Sequence, residues 1–431
     1  MSIVEPKSLP GTMELLPSEQ VMFNDIKNKI ESVYKSFGFL PIDTPVIERS
    51  DVLLAKAGGE TEKQIYKFKK GDNDICLRFD LTVPLAKYVA NNMNELEFPF
   101  RRYQIGKVYR GEKAQKGRYR EFYQADIDII GKGELSLAND AECPVVIYNI
   151  FKKLDFGEFV INLNNRKIVS GLLSELKLED RKEEIMRLID KLDKIGQEKM
   201  IEELQLLGVG KLQLKALLDF MSIRGNIASQ IQSLNSLKIN NEQYRIGVSE
   251  LQEVISLILA QGVPEKNIAI NLSIVRGLDY YTGTVFETFL TDCPSIGSVC
   301  SGGRYDNLAE FYTKEKLPGV GISIGLTRLF YQLNEKNLIK TTNTSGVDVL
   351  ILPMGNDLLP YAYKVANKVR NSGKRVQVYL EDKKFKNKLA YADKLQIPFV
   401  IIIGEDEAKA NVVTLKNMQT HTQETVVISN L

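Results

Sequence analysis

The spacing of apolar residues changes three times along this 431-residue chain, and these changes constrain its fold more than any other feature. In the first part, runs with strand-like alternation mix with helical segments. Residues 180–260 have helical spacing and no convincing strand, and strands return from residue 268. After residue 347, strands and helices alternate. We expect an α+β domain with an antiparallel sheet and a helical insertion, followed by a smaller α/β domain.

A chain of this length is too long for a single hydrophobic core. We place the first domain at residues 1–337, with the helical insertion at approximately 178–262. A polar linker occupies residues 338–346 and the α/β domain residues 347–431. Alternating strands and helices in this last segment predict a parallel or mixed sheet.

Composition excludes several classes of protein. No run of 18 apolar residues exists, so we expect no membrane span. The chain has one histidine, His421, which nearly excludes histidine-based catalysis and multi-histidine metal sites, and we expect no tightly bound metal. The four cysteines show no C-x-x-C spacing, which predicts free thiols and a reducing cytoplasm. Because the net charge is only +2, any nucleic-acid binding must come from local basic patches.

Near the N-terminus, residues 18–37 are predicted to form an amphipathic helix. The segment that follows, Phe39 to Glu48, contains Pro41 and Pro45. Proline cannot donate to a central strand ladder, so this segment predicts an edge strand or an extended interface.

A basic loop joins two predicted antiparallel strands, 104–109 and 122–130. The loop, residues 110–120, carries five cations, one carboxylate and two glycines, and such a loop can hold a polyphosphate or a nucleic-acid end. The alternative is a solvated hairpin tip. On the returning strand, period-two alternation places Gln124, Asp126 and Asp128 on one face. Since Gln124 and Asp128 are about 13 Å apart along a strand, they could bracket a free amino acid.

Two further segments carry groups suited to small polar ligands. Asp80 and Thr82 can both accept hydrogen bonds from an ammonium group, although Asp80 alone is also a good cap for the helix that follows. Glycines at 319, 321 and 325 give a strand with little side-chain bulk, on which a flat ring such as adenine could lie. Arg328, just inside the next predicted helix, could reach a phosphate.

The segment from Arg276 to Glu287 reads Arg-Gly-Leu-Asp-Tyr-Tyr-Thr-Gly-Thr-Val-Phe-Glu and lies between two strand-like runs, 268–275 and 284–290. It holds a cation, an acid and two phenols on a short connection. Such a connection can aim an arginine into a cleft. A surface hairpin is the alternative.

Taken in order, these segments resemble the histidine–tRNA ligase family of class II aminoacyl-tRNA synthetases, from Gly11 to the C-terminal Tyr391-Ala-Asp-Lys-Leu. The N-terminal helix with its proline segment, the basic hairpin and residues 319–328 resemble the three class motifs. Arg-Gly-Leu-Asp-Tyr-Tyr resembles the family's histidine-recognition signature and is more specific. The resemblance implies attachment of L-histidine to tRNA(His) through a histidyl-adenylate, with ATP and Mg²⁺, in a cytoplasmic homodimer with Pro45 at the interface.

The resemblance also implies roles for individual residues. The residues implied to bind histidine are Asp80, Thr82 and Gln124 at the ammonium group and Asp128, Tyr280 and Tyr281 at the ring. The implied catalytic cations at the α-phosphate and carboxylate are Arg110 and Arg276. ATP is further contacted by Arg120 and Arg328 at the outer phosphates and by Phe122 at adenine. Gln115 is implied to meet the tRNA acceptor end, and the C-terminal domain to bind the anticodon stem.

This chain departs from a common bacterial form of the pattern at two positions: Gly111 stands where a larger residue is frequent and Asp80 where glutamate is frequent. The alternative function is a histidine-sensing regulatory subunit of ATP phosphoribosyltransferase, a relative that keeps the fold without the phosphate-binding arginines. Here Arg110, Arg276 and Arg328 are all present.

Overall fold

The computed structural model describes residues 3–55, 60–113, 117–190, 192–275, 280–339 and 345–431. The chain divides into two units. The first comprises Met1–Met13 and Lys27–Leu338, and the second comprises Glu14–Ile26 and Ile339–Leu431.

The first unit is built on an eight-stranded sheet with a smaller three-stranded sheet. Its strands are β1 (Leu40–Pro41), β2 (Ile47–Arg49), β3 (Lys67–Lys70), β4 (Asn73–Leu77), β5 (Phe100–Tyr109), β6 (Glu121–Ile130), β7 (Phe159–Asn165), β8 (Ile268–Ile270), β9 (Thr284–Leu290), β10 (Cys300–Tyr305) and β11 (Gly319–Ile324). The large sheet has the order β1-β5-β6-β11-β10-β9-β7-β8 and the small sheet the order β2-β4-β3. Only the terminal pairs of the large sheet, β1–β5 and β7–β8, are parallel among the described pairings, which confirms the predicted antiparallel sheet.

The helices up to Leu338 are α1 (Pro17–Ser36), α2 (Ser50–Leu54), α3 (Glu60–Gln64), α4 (Thr82–Asn91), α5 (Ala138–Leu154), α6 (Arg166–Glu175), α7 (Lys182–Ile189), α8 (Leu192–Ile195), α9 (Gln197–Leu206), α10 (Lys211–Met221), α11 (Ile227–Ser236), α12 (Glu242–Ala260) and α13 (Leu326–Glu335). From α7 to α12 the described residues form helices and no strand, as predicted for the insertion. The last of these helices, α12, packs against α5 and α6 of the sheet-bearing core.

The hairpin of β5 and β6 supplies the second and third strands of the large sheet. The two strands pair in antiparallel register over ten residues, from Phe100 opposite Ile130 to Tyr109 opposite Glu121. On β6 the apolar face predicted from alternation is fully buried, with Ala125, Ile127 and Ile129 completely inaccessible. The opposite face of β6, which carries the polar side chains, is therefore the face available to a ligand.

Strand β7 was not predicted, and it changes how the neighbouring segments are arranged. It is almost fully buried along its length, on both faces, and its second half carries asparagines at positions 162, 164 and 165. Its buried Asn164 donates hydrogen bonds from Nδ2 to the carbonyl oxygens of Leu272 and Ile274. Because β7 lies between β8 and β9, these two strands do not pair, and the alternative of a simple hairpin across residues 276–283 is wrong.

The proline-containing segment confirms the edge position predicted for it. β1, which includes Pro41, lies at one edge of the large sheet, and β2, which follows Pro45, lies at an edge of the small sheet. Both positions spare proline from donating to a central ladder.

The second unit has its own mixed five-stranded sheet. Its elements are β12 (Val349–Pro353), α14 (Leu359–Asn371), β13 (Val376–Val378), α15 (Phe385–Lys394), β14 (Phe399–Ile403), α16 (Glu405–Ala410), β15 (Val412–Asn417) and β16 (Gln423–Val427). β13, β12 and β14 are parallel, whereas β15 and β16 continue the sheet as an antiparallel hairpin. His421 lies in the connection between β15 and β16 with a positive φ of 59°. No helix in the described ranges of the chain is long and apolar enough to cross a bilayer.

Candidate active site

A cavity of about 290 Å³ opens on the polar face of the large sheet, over β6, β11 and β10. It brings together residues from widely separated parts of the first unit. Those singled out from the sequence that line it are Asp80, Thr82, Arg110, Phe122, Gln124, Asp128, Tyr280, Tyr281 and Arg328. Arg276 and Gln115 lie outside the residues that the structure describes.

Strand register explains the polarity of the cavity floor. Asp128 of β6 lies opposite Arg102 of β5 on one side and Gly321 of β11 on the other. Two residues along, Asp126 lies between Gln104 and Ser323. Residues in register share a face of the sheet, so four adjacent strands combine to give a floor of acids, amides and glycines.

The acid end of the cavity contains three buried carboxylates, Asp80, Asp126 and Asp128. Burial raises the pKa of each; it brings that of Asp126 to about 7 and that of Asp128 to about 6. The hydroxyl of Tyr305 donates to Oδ1 of Asp128 at 2.7 Å. Such a group of carboxylates favours a ligand that carries N–H donors or positive charge.

Asp80 caps a helix and also lines the cavity. Its Oδ1 accepts a hydrogen bond from the backbone N–H of Val83 at 2.9 Å, so it caps the first turn of α4. It also lines the cavity beside Thr82, the first residue of α4. The helix start therefore fixes the position of a carboxylate in the site.

Tyr280 and Tyr281 have different polar neighbours at the acid end of the cavity. The hydroxyl of Tyr280 interacts with Thr82 and with the charge of Asp80, whereas Tyr281 has Asp128 as its main charged neighbour. Their rings contact each other edge to face, with centroids 4.9 Å apart. Tyr281 is thus better placed than Tyr280 to act with Asp128 on one ligand group.

Arg110 is held between two aromatic rings. Its guanidinium carbon lies 4.4 Å from the centroid of Phe79 and 5.2 Å from that of Phe122. Its Nε donates to the carbonyl oxygen of Phe79 at 3.3 Å. Burial lowers the pKa of Arg110, although arginine remains charged at neutral pH. This cation is oriented before any ligand arrives.

The other end of the cavity carries two arginines close enough to influence each other. Burial and the neighbouring Arg118 both lower the pKa of Arg328. Arg118 also lies 3.7 Å from Glu112, measured from Nη1 to Oε2. Like charges brought together in a cleft attract an anion, so this end suits phosphate groups.

The structure places Arg120 away from the cavity. Its Nε donates to the carbonyl oxygen of Glu112 and its Nη1 to that of Pro10, and its aliphatic stem lies against Gly11. Arg118, which the sequence analysis did not single out, lines the cavity two residues earlier. Arg118 and Arg120 both fit the pattern of the basic loop. Only the path of the loop in the structure shows which of them lines the cavity.

Other lining residues also went unrecognised in the sequence. They are Glu112, Cys300, Ser301, Tyr305 and Ser323. Ser301 and Tyr305 lie on β10 and Ser323 lies on β11, and period-two alternation along these strands is the signal that could have assigned them to the site. Among the described residues, no group of three or more histidine, cysteine, aspartate or glutamate side chains is placed to hold a metal ion.

The raised pKa of Asp126 leads to a testable pH dependence of stability. A carboxyl whose pKa rises on folding binds more protons in the folded state, so its contribution to stability is lost as the pH rises from 3.8 towards about 7. This difference in pKa between the unfolded and folded states corresponds to at most about 4 kcal/mol in the free energy of unfolding. We expect Asp126→Asn to remove this loss, so that the variant gains stability relative to the parent between pH 5 and pH 8 in urea unfolding followed by circular dichroism.

Asp74→Asn is the matched control for this measurement, because the side chain of Asp74 is 66% exposed and changes its surroundings little on unfolding. Equal pH slopes for Asp126→Asn and the parent protein would show that Asp126 ionises in the folded state as it does in the unfolded chain.

Comparison with known proteins agrees with the geometry over nearly the whole chain. The family model described as histidyl-tRNA synthetase matches residues 11–329, and the model described as anticodon binding domain matches residues 348–431. The histidine–tRNA ligase of Clostridium tetani (strain Massachusetts / E88) is 55% identical over 425 residues, covering 98% of this chain and 96% of that protein. That of Finegoldia magna is 53% identical and covers 100% and 99%.

Solved structures give the same result. The crystal structure of histidyl-tRNA synthetase from Nostoc sp. PCC 7120 superposes with a TM-score of 0.92 at 39% identity, covering 99% of this chain and 98% of that one. A Bacillus halodurans protein described as an ATP phosphoribosyltransferase regulatory subunit/histidyl-tRNA synthetase has a TM-score of 0.77 at 22% identity, covering 93% and 99%, and shares the fold alone. On the strength of these matches, the chain belongs to the histidyl-tRNA synthetase family.

Proposed function

We propose that this chain attaches L-histidine to tRNA(His) in two steps, through an enzyme-bound histidyl-adenylate formed from ATP. The observation that carries the proposal is one cavity with buried carboxylates at one end and arginines at the other. The acid end suits the ammonium and ring N–H groups of histidine, and the arginine end suits the phosphates of ATP. Relatives named histidine–tRNA ligase, which align with this chain over nearly their whole length, support the same reaction.

At the acid end, Asp80, Thr82 and Gln124 are proposed to hold the α-ammonium group. Gln124 donates from Nε2 to the hydroxyl of Ser323 at 2.5 Å, which directs its Oε1 towards an N–H donor of the ligand. Asp128 is proposed to accept the ring N–H, with Tyr281 beside it. Tyr280, which the resemblance assigns to the ring, is supported by its neighbours as a partner of Thr82 at the ammonium end.

Arg110, whose main charged neighbour is Asp80 of the acid end, and Arg276 are proposed to contact the α-phosphate and the substrate carboxylate. Phe122 would stack on adenine. Arg328 and Arg118 are proposed for the outer phosphates, Arg118 replacing Arg120 because it is the one that lines the cavity. ATP would enter as its magnesium complex, with the ion bridging phosphate oxygens.

The first step joins two anions, because a carboxylate attacks the α-phosphorus and pyrophosphate leaves. Fixed guanidinium groups offset the negative charge that develops, without having to reorganise. In the second step, the ribose hydroxyl of the tRNA end attacks the adenylate carbonyl and AMP leaves. A phosphate oxygen of the adenylate is proposed to take the hydroxyl proton.

The second unit is proposed to bind the anticodon stem, and Gln115 to meet the acceptor end. Exposed cations on the second unit support RNA binding: Lys374, Arg375, Lys383, Lys384, Lys386 and Lys394. Lys388, which belongs to the same stretch of sequence, is buried and donates to the carbonyl oxygen of Pro353 at 2.8 Å. It therefore packs the domain instead of adding to this surface.

A cytoplasmic homodimer is proposed as the working form. Apolar side chains on the proline-containing segment stay exposed, with Leu40 at 61% and Ile47 at 50%. Exposed apolar groups along sheet edges are suited to pairing with a second copy. Four free, buried cysteine thiols agree with a reducing compartment.

ATP–pyrophosphate exchange with each of the twenty amino acids, followed by charging of tRNA(His), tests the function directly. We expect exchange with histidine alone and transfer to tRNA(His). Exchange with a different amino acid, or with none, would contradict the proposal. Histidine binding without exchange would favour the regulatory-subunit alternative.

A further inference from the structure

A buried arginine lies under the floor of the cavity, on the β5 side of Asp128. Arg102 is fully inaccessible, and its Nη2 is ion-paired with Oδ2 of Asp128, its partner in strand register. The same nitrogen donates to the carbonyl oxygen of Leu81 at 3.3 Å. Its Nε and Nη1 find no hydrogen-bond partner among the described residues.

An arrangement of this kind contributes little to stability. Burying an ion pair costs several kcal/mol per ion in desolvation, and well-packed apolar residues of similar volume are often as stable. A fully buried guanidinium that leaves donors unsatisfied is therefore poorly explained by folding alone. Its position directly beneath a carboxylate of the ligand site suggests a role in that site.

Several charged and titratable groups face Asp128. They are Arg102 on β5, Asp126 on β6, Tyr305 on β10, Asp80 before α4, and Tyr280 and Tyr281 before β9. Arg102 is the main charge opposing the effect of burial on both Asp126 and Asp128. One guanidinium therefore sets the electrostatics of the acid end.

We propose that Arg102 is a positioning residue that keeps Asp128 ionised and aimed so that it accepts the N–H of a neutral imidazole ring. The inference rests on the proposed function. An imidazolium ring would bring a second cation next to Arg102, where little water screens the repulsion. The pair of Arg102 and Asp128 thus selects the neutral form of histidine's side chain.

Arg102→Met tests this by removing the charge while filling a similar volume. In ATP–pyrophosphate exchange at pH 7.5, we expect the KM for histidine to rise about tenfold, in keeping with the loss of one charged partner. The KM for ATP should stay within twofold. Arg102→Lys should restore most of the affinity for histidine, because lysine returns the positive charge even though it lacks the planar guanidinium group.

The pH profile distinguishes positioning from a merely structural effect. For the parent protein, kcat/KM for histidine should rise between pH 6 and pH 8, because the imidazole of free histidine loses its proton near 6.5. In Arg102→Met, Asp128 loses the main charge that opposes the effect of burial on its pKa, so it stays protonated to higher pH and cannot accept the ring N–H. The rise should therefore shift to higher pH. Tyr305→Phe, which removes the hydroxyl donor but no charge, should raise KM only a few-fold and keep the parent's slope.

Arg101→Met is the matched control. Arg101 is the neighbouring residue on β5, on the opposite face, and its Nη1 donates to Oε2 of Glu142 at 2.8 Å. Its loss should leave the histidine KM unchanged. If Arg102→Met does not fold, Arg102→Gln carries the same expected KM and pH profile.

Two failures remain distinguishable in this design. An Arg102 variant with the parent's KM and pH slope overturns the positioning role, and so does one that loses ATP affinity equally. A parent protein that shows no exchange with histidine overturns the proposed function instead.

Discussion

Arg110→Met is expected to slow formation of the enzyme-bound adenylate by about 10²–10³. Arg110 is half-buried and lines the cavity between Phe79 and Phe122, and its Nε donates to the Phe79 carbonyl oxygen. A cation fixed in this way does not need to reorganise when negative charge develops at the α-phosphorus, and methionine supplies none. Pyrophosphate release in a single turnover, with histidine and ATP both saturating, measures the effect.

Lys107→Met provides the control on the same strand. Lys107 forms an ion pair with Glu121 at 2.7 Å and lies over the ring of Tyr123 outside the cavity. Its replacement should change the single-turnover rate less than twofold. A burst of pyrophosphate at the parent's rate in Arg110→Met would remove Arg110 from the catalytic step.

Gly321→Ala is expected to raise the KM for histidine by about 10²-fold, the effect of misplacing a binding group by roughly 1 Å. A β-carbon at position 321 would lie 2.2 Å from Oδ1 of Asp128 and 2.5 Å from the carbonyl oxygen of Ile127. The backbone oxygen is held in the sheet, so the carboxylate has to move. The affinity for ATP, measured in the same exchange assay, should change much less.

A double-mutant cycle shows whether Asp128 transmits this effect. Asp128→Ala alone should weaken histidine binding while ATP binding survives. In that background, Gly321→Ala should add little, because the group it displaces is already gone. Independent effects that simply add would mean that the alanine acts through general distortion of the sheet.

The polar face of β6 illustrates what local spacing can predict. Alternation alone placed Gln124, Asp126 and Asp128 together, because a strand has a period of two whatever its neighbours are. The order of strands and helices after residue 347 predicted a parallel or mixed sheet, and the sheet of the second unit is mixed. Local spacing did not predict β7. There Asn164 is buried and donates to backbone carbonyl oxygens of a segment more than a hundred residues away.

Two pairs of neighbouring arginines show what local spacing does not predict. Arg101 and Arg102 are adjacent in the sequence, yet one pairs with Glu142 and the other lies fully buried beneath Asp128. Arg118 and Arg120 are similarly close, and only Arg118 lines the cavity. Alternation puts Arg101 and Arg102 on opposite faces of β5 but does not show which face meets the cavity, and it does not show which of Arg118 and Arg120 the loop turns inward.

The amino-acid sequence alone determined the helical insertion, the hairpin of β5 and β6, which face of β6 is polar, and which family the motifs resemble. Those properties depend on neighbours a few residues apart, or on a motif whose order survives in the chain. Tertiary structure decided that Arg102, Tyr305 and Gly321 surround Asp128, and that β7 separates β8 from β9. Pairing between strands far apart in sequence is set by the packing of the whole sheet, and so are the contacts made by the side chains of the active site.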